Sequence, residues 1–226
     1  MKAVVLCGGL GTRLGELTRS TPKPMLMVAG RPFIAHVLDH LCSAPIEGTV
    51  LAAGFAWSAL HDFVGSQWKG VPVSYSVESQ AQGTGGALLL ALRNEKLDEA
   101  LVVNGDTLFK IDLREFLHPS SSRFSTSIAL RQIDDCSRYG RVVIGLDQRV
   151  LSFGEKGFHG PGLINGGIYL QRRDALEGLG RSAFSLEVDY LACYYSSNAM
   201  RGIPSDAYFI DIGIPADFER AQTELA

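Results

Sequence analysis

Between Val4 and Pro24 the chain reads VVLCGGLGTRLGELTRSTPKP, a stretch whose residue types suit a polyphosphate. Gly8, Gly9 and Gly11 let backbone N–H groups approach an anion closely. Arg13 adds a planar donor fork of fixed charge that matches phosphate oxygens. Lys23 stands between Pro22 and Pro24, which restrict the backbone on either side and so aim its ammonium group. Any one of these residues alone fits a solvated surface loop; together they describe a binding site. Two familiar glycine loops are excluded. The phosphate loop G-x-x-x-x-G-K-[ST] has no match here, and the dinucleotide fingerprint G-x-G-x-x-G fails because Leu14 stands where its last glycine belongs.

More candidate groups follow. Asp106 ends the run ALVVNGD, and Asp211 sits inside YFIDIG. A lone Asp after a strand is commonly a turn or capping residue. Glu155 and Lys156, adjacent in FGEK, have the form of an exposed turn ion pair, which contributes little to stability. His36 and His40 lie four apart on one helical pattern, but no third ligand has suitable metal spacing.

The elements that must position these groups alternate. KAVVLC, GTVLAAG, VPVSYSVE and ALVVNGD read as strands. FIAHVLDHLC, SALHDFVGSQW and TGGALLLALRN have helical spacing between them. Strand, helix, strand in that order predicts right-handed crossovers and a mainly parallel sheet with helices on both faces. The second half reads differently: FSTSIALRQ, GRVVIGL, RVLSFGEK and LINGGIYLQ are closely spaced strands. A helix around SLEVDYLACYY and a last helix from Pro215 follow. This predicts a smaller, partly antiparallel subregion folded onto the parallel sheet, with no clear linker. In open α/β sheets ligands sit beyond the carboxyl ends of the strands, which is where Gly8–Arg13, Glu78–Gly86 and Asn104–Asp106 fall.

Composition narrows the partners. Of 226 residues, 46% are hydrophobic and 20% charged, and 21 basic against 24 acidic residues leave a net charge of −3. No general nucleic-acid or membrane surface is expected from that balance, so any cationic site is local. Cys7, Cys42, Cys136 and Cys193 are widely spaced and read as reduced thiols. No apolar run suits a signal peptide or a membrane helix, and a cytoplasmic location is expected.

LCGGLGTRL followed by TPKP resembles the signature of the sugar-1-phosphate nucleotidyltransferases. The resemblance continues through GTGGAL, VVNGD, RYGRV, FGEK, LINGGIYL and FIDIG, over nearly the whole chain. It departs after GTRL, where many relatives have proline and this chain has GEL. The resemblance implies an α/β, Rossmann-like fold with a mixed, mainly parallel sheet flanked by helices and a small, partly antiparallel sugar-binding subregion. It implies one nucleotidyltransferase domain over residues 1–226, with 1–110 mainly holding the nucleotide and 111–226 mainly the sugar phosphate. The implied activity joins a nucleoside triphosphate to a sugar 1-phosphate and releases pyrophosphate. The wording of the motifs points to GTP and a heptose 1-phosphate, in the service of surface polysaccharide synthesis.

Carried onto this chain, the resemblance makes Arg13, Lys23, Asp106 and Asp211 catalytic, with Asp106 and Asp211 holding Mg²⁺. Leu6, Gly8, Gly9, Gly11, Thr12, Arg13, Glu78, Gly83 and Thr84 would bind the nucleotide, Glu78 accepting from the base. Asn104, Gly140, Glu155, Lys156, Asn165 and Gly166 would bind the sugar phosphate. Glycines in NGG are equally the mark of a strand bulge. Mannose 1-phosphate as the sugar, UTP or dTTP as the nucleotide, and a nucleotide-sugar-binding regulatory subunit remain open at this point, and so does a homodimer. Retention of all four catalytic residues favours an enzyme.

Overall fold

The structure, a computed structural model, describes residues 1–8, 12–18, 21–54, 57–118, 124–197 and 199–226; the side chains of Thr12, Arg13 and Glu16 lie outside that description. The first strand, β1 (Lys2–Leu6), is buried from Ala3 onward, and its side chains alternate between two cores: Ala3 and Val5 enter one, Val4 and Leu6 the other. A strand covered on both faces must be apolar at every position, which is why KAVVLC shows no polar alternation. After a 3₁₀ stretch (Thr12–Thr18) and a 3₁₀ turn (Lys23–Met25) comes a hairpin of β2 (Met27–Val28) and β3 (Arg31–Pro32).

The parallel part follows the predicted order. It contains α1 (Phe33–Leu41), β4 (Gly48–Ala53), α2 (Trp57–Val64), β5 (Gln67–Trp68), β6 (Val71–Val77), α3 (Gly83–Asn94) and β7 (Glu99–Asn104). Helices α1 and α2 pack on one face with Phe33, Ile34, Leu38 and Leu60. Helix α3 packs on the other with Leu88, Leu89 and Leu92. The second helix ends sooner than its pattern suggests. Gly65 adopts φ +68 and its N–H bonds His61 O at 2.8 Å, a left-handed stop. The chain then turns through Lys69 and Gly70, both with positive φ, so that β5 pairs with β6.

The second half comprises β8 (Thr107–Phe109), α4 (Leu113–Phe116), β9 (Thr126–Ile133), β10 (Arg141–Ile144), β11 (Val150–Phe153) and β12 (Gly162–Arg172). Then come α5 (Arg173–Glu177), a π-helical turn (Leu186–Leu191), α6 (Ala192–Tyr194), β13 (Met200–Ser205), β14 (Phe209–Asp211) and α7 (Pro215–Glu224). Its strands continue the same sheet. The order is β11-β10-β12-β7-β1-β4-β6-β5, with β9 along the free edge of β12 and β13 parallel to β9. The antiparallel region therefore does not fold onto the parallel sheet: β12 hydrogen-bonds directly to β7 from Ile168 to Arg172. Strand β13, MRGIPS, contains Pro204, which an edge strand tolerates because its N–H is not needed by a further neighbour.

Strand β1 lies between β4 and β7, so the chain leaves it in one direction and α3 brings it back on the other side. That reversal opens a crevice at the carboxyl ends of β1 and β7, the place where such sheets bind ligands. Among the described residues no helix is long and apolar enough to cross a membrane.

Candidate active site

The crevice is a cavity of about 750 Å³ lined from both halves of the chain. Leu6, Gly8, Lys23, Thr84, Asn104, Asp106, Gly140, Glu155, Lys156, Asn165 and Asp211, all singled out in the sequence, border it.

Its acidic centre is built by backbone pairing. Gly105 N–H donates to Leu6 O at 2.9 Å, and a side chain at 105 would put Cβ 2.8 Å from that oxygen, so only glycine lets the turn after β7 tuck under the end of β1. The next residue, Asp106, is thereby turned into the cavity. Strands β8 and β14 pair antiparallel with Thr107 opposite Asp211, and Ile212 N–H bonds Asp106 O at 3.0 Å. Two carboxylates far apart in sequence thus come from adjacent backbone positions. Asp211 Oδ1 accepts from Gly213 N–H at 2.8 Å.

Lys23 lies in the 3₁₀ turn that Pro22 and Pro24 bracket, and its Nζ is 2.6 Å from Asp106 Oδ2. Its side chain is only 12% exposed, so the pair is shielded from solvent on the lysine side. Asp106 therefore already attracts a cation through an oxygen at the cavity wall. Two hard carboxylates bordering one cavity suit Mg²⁺, which is usually held by one or two carboxylates together with substrate phosphates and water. Among the described residues no group of three metal-binding side chains occurs. His36 and His40 do not form a metal pair: His36 Nε2 contacts Val28 O at 3.1 Å, and burial holds both imidazoles below their ordinary pKa.

The opposite wall is anchored by α7. Arg138 forms an ion pair with the buried Asp217, which also receives Arg220 Nη1 at 3.0 Å. Beside Arg138, Tyr139 and Gly140 face the cavity. Burial first, and then the charge of Asp211, push the Tyr139 hydroxyl up to about 12, so it stays a neutral donor. At Gly140 a Cβ would stand 2.6 Å from Gly154 O, and this close crossing delivers Glu155 and Lys156 to the rim, both exposed.

Three of the residues singled out in the sequence lie outside the cavity lining. Gly83 does not border the cavity. Its φ is +74, and a Cβ there would lie 2.6 Å from Phe184 O; Gly85 and Gly86 are crowded in the same way, by the Phe184 ring and Ser182 O. The GTGG glycines thus seat the Ser182–Ser185 segment on the start of α3, where Phe184 O caps Gly85 N–H and Gly86 N–H at 3.0 and 3.2 Å. Gly166 faces protein as well: its Cβ would fall 2.4 Å from the Phe109 ring. It belongs to a bulge between Asn165 and Tyr169, where the partner of β12 changes from β10 to β7, and Gly167 (φ +74) borders the cavity instead. Glu78 lies just outside the cavity lining. Its Oε2 accepts Gln82 N–H at 2.9 Å, while Oε1 is the atom that Cβ groups at Gly54 and Gly8 would meet, at 2.8 and 3.5 Å. Gly9 and Gly11, and the side chains of Thr12 and Arg13, lie outside the described residues.

The residues 2–226 match the family model described as "Nucleotidyl transferase". The chain belongs to the nucleotidyl transferase family. It is 38% identical to D-glycero-α-D-manno-heptose 1-phosphate guanylyltransferase of Aneurinibacillus thermoaerophilus, over 100% of this chain and 98% of that protein. It is also 38% identical to the protein of the same name from Campylobacter jejuni, over 96% of this chain and 97% of the other. The crystal structure of HddC from Yersinia pseudotuberculosis complexed with GMP-PN superposes with a TM-score of 0.89 at 32% identity, covering 100% and 99% of the two chains. In this nucleotidyl transferase Tyr139, Gly167 and Glu187 also border the cavity, and the buried Tyr169 holds Asn165 of its wall. Tyr139, Gly167 and Tyr169 stand inside RYGRV and LINGGIYL, whereas Glu187 is hidden inside a helical pattern, SLEVDYL.

Proposed function

We propose that the protein transfers a guanylyl group from GTP to D-glycero-α-D-manno-heptose 1-phosphate, giving the GDP-sugar and pyrophosphate. One observation carries this reading: an ion-paired lysine, two carboxylates on paired strands and the Glu155–Lys156 rim share one cavity, in a chain aligned end to end with heptose 1-phosphate guanylyltransferases. An oxygen of the sugar phosphate attacks the α-phosphorus, the bond to the bridging α–β oxygen breaks, and pyrophosphate leaves with the electron pair. The nucleophile is already an anion, so no general base is required, and the protein's contribution is alignment and charge neutralisation.

Lys23 exchanges its contact with Asp106 for the α-phosphate and the incoming sugar phosphate, and Arg13 holds the departing pyrophosphate. Lys156 binds the sugar phosphate and Glu155 a sugar hydroxyl. Asp106 and Asp211 would hold Mg²⁺, which would supply further neutralisation of phosphate charge. Such a reaction belongs in the cytoplasm, where GTP is available. The test is pyrophosphate release from GTP, UTP, dTTP and ATP with heptose 1-phosphate and mannose 1-phosphate; GTP with the heptose is expected to give the highest kcat/KM. Lys156→Ala is expected to raise KM for the sugar phosphate and leave KM for GTP within about twofold.

Glu78 reads the guanine edge in this scheme, and its hydrogen bond sharpens the expectation for Glu78→Gln. Gln82 N–H requires an acceptor at the Oε2 position, so the glutamine amide nitrogen must take the Oε1 side, beside Gly8 and Gly54. A donor then faces the donors of guanine. One mismatched buried pair costs about 1–3 kcal/mol, and the GTP to UTP ratio of kcat/KM is expected to fall about tenfold. An unchanged ratio assigns base reading to the backbone around Gly8.

A further inference from the structure

Glu187 borders the cavity from the π-helical turn, and its two oxygens are not equivalent. Oε2 accepts the Thr84 hydroxyl at 2.8 Å and the Ser185 hydroxyl at 3.3 Å. Thr84 Oγ1 itself accepts Leu186 N–H at 2.9 Å, so its single hydrogen is committed to Glu187. Among the described residues, no hydrogen bond reaches Oε1. Asn104, at the end of β7, also borders the cavity, but its Oδ1 is buried and is not open to a ligand there.

The wall near Glu187 is built around one buried hydroxyl. Tyr169 is fully buried, and its OH accepts from Asn165 Nδ2 at 2.8 Å and is hydrogen-bonded by Asn104, with the charge of Glu187 close enough to oppose its ionisation. Asn165 Oδ1 is already held by Gly167 N–H at 3.0 Å. The polar groups of this wall are paired with one another, and the carboxylate oxygen Oε1 of Glu187 is left to accept. An acceptor lined up without a donor is costly to desolvate, and the cations of the site, Lys23 and Lys156, are assigned to phosphate. The complementary ligand group is a neutral donor, which a hydroxyl of a polyhydroxylated sugar supplies.

We propose that Glu187 Oε1 accepts a hydrogen bond from a hydroxyl group of the sugar, and that Glu187 governs which sugar 1-phosphates are used. The inference rests on the sugar-nucleotide reading above. Glu187→Gln tests it because Thr84 fixes the outcome of the exchange. The Thr84 hydroxyl needs an acceptor at the Oε2 position, so the new amide nitrogen must point at the sugar and offer a donor to a donor. The substitution is nearly isosteric, and melting is measured alongside to confirm the fold.

The expected result is a rise of about tenfold in KM for heptose 1-phosphate, with KM for GTP within about twofold of wild type. The substrate supplies a second arm that needs no folded variant: a series of monodeoxy sugar 1-phosphates assayed with the wild-type enzyme. One of them should lose about as much efficiency on wild type as Glu187→Gln loses with the full sugar, and should lose little more on the variant. Wild-type turnover combined with an unchanged sugar KM in the variant overturns the assignment of Glu187. Additive losses for every deoxy sugar do the same. A wild-type enzyme that uses no sugar 1-phosphate overturns the functional reading and this inference with it.

Discussion

Asp106→Asn and Asp211→Asn are each expected to lower kcat about a hundredfold or more at saturating substrates and Mg²⁺, in proteins that remain folded. Removing one electrostatic contact made at the transition state of such a transfer costs about 3 kcal/mol or more, which is that factor in rate. The two variants test different things. Asp106 Oδ2 also holds Lys23 Nζ at 2.6 Å, so Asp106→Asn removes the partner of a largely shielded ammonium as well as a metal ligand. Some loss of stability is expected there. Asp211 Oδ1 accepts Gly213 N–H, a bond that an asparagine carbonyl can keep. Titration with Mn²⁺ in the presence of nucleotide gives a readout apart from turnover: both variants should bind the ion more weakly, whereas Lys23→Met should not. Either asparagine variant retaining kcat within about threefold of wild type would remove that carboxylate from the metal site.

The parts of this site visible in the sequence are those set by local chemistry. Alternating cores along β1, β4 and β7 require continuous apolar runs, and those runs are readable. Lys23 between prolines and Asp106 after an apolar strand stand out in the same way. The pairing of β8 with β14 does not, because strands of three residues carry no periodicity and their partner lies far along the chain. Strand β13 contains a glycine and a proline, both marks of a loop, and is a strand only because β9 offers it an edge. Glu187 occupies a position of helical spacing whose polar side suggests solvent; the π-helical turn and the Thr84 hydroxyl, which belongs to a distant helix, bring it to the cavity instead.

The glycines of GTGG mark the limit most clearly. A glycine in sequence says that something approaches closely, and a nucleotide and a second protein segment are indistinguishable at that level. The structure identifies the segment, and Gly83→Ala should expose its importance. At φ +74 an alanine costs about 1–2 kcal/mol in backbone strain. Its Cβ would also lie 2.6 Å from Phe184 O and 2.9 Å from Phe184 C, which are backbone atoms that cannot rotate away. Overpacking of this kind adds about 1–3 kcal/mol. Phe184 O must then retreat from Gly85 N–H and Gly86 N–H, uncapping the first turn of α3. A total of about 2–5 kcal/mol in a chain of this length lowers the melting midpoint by about 4–20 °C. Because Thr84 and Glu187 lie on the two sides of the disturbed contact, KM for the sugar phosphate should rise as well. Gly180→Ala separates the two costs: Gly180 has φ +68, but a Cβ there would meet nothing within 4 Å, so the substitution carries strain without the clash. Gly83→Ala should melt clearly below Gly180→Ala; equal midpoints would mean that the Ser182–Ser185 segment yields freely and does not lock the two halves of the cavity together.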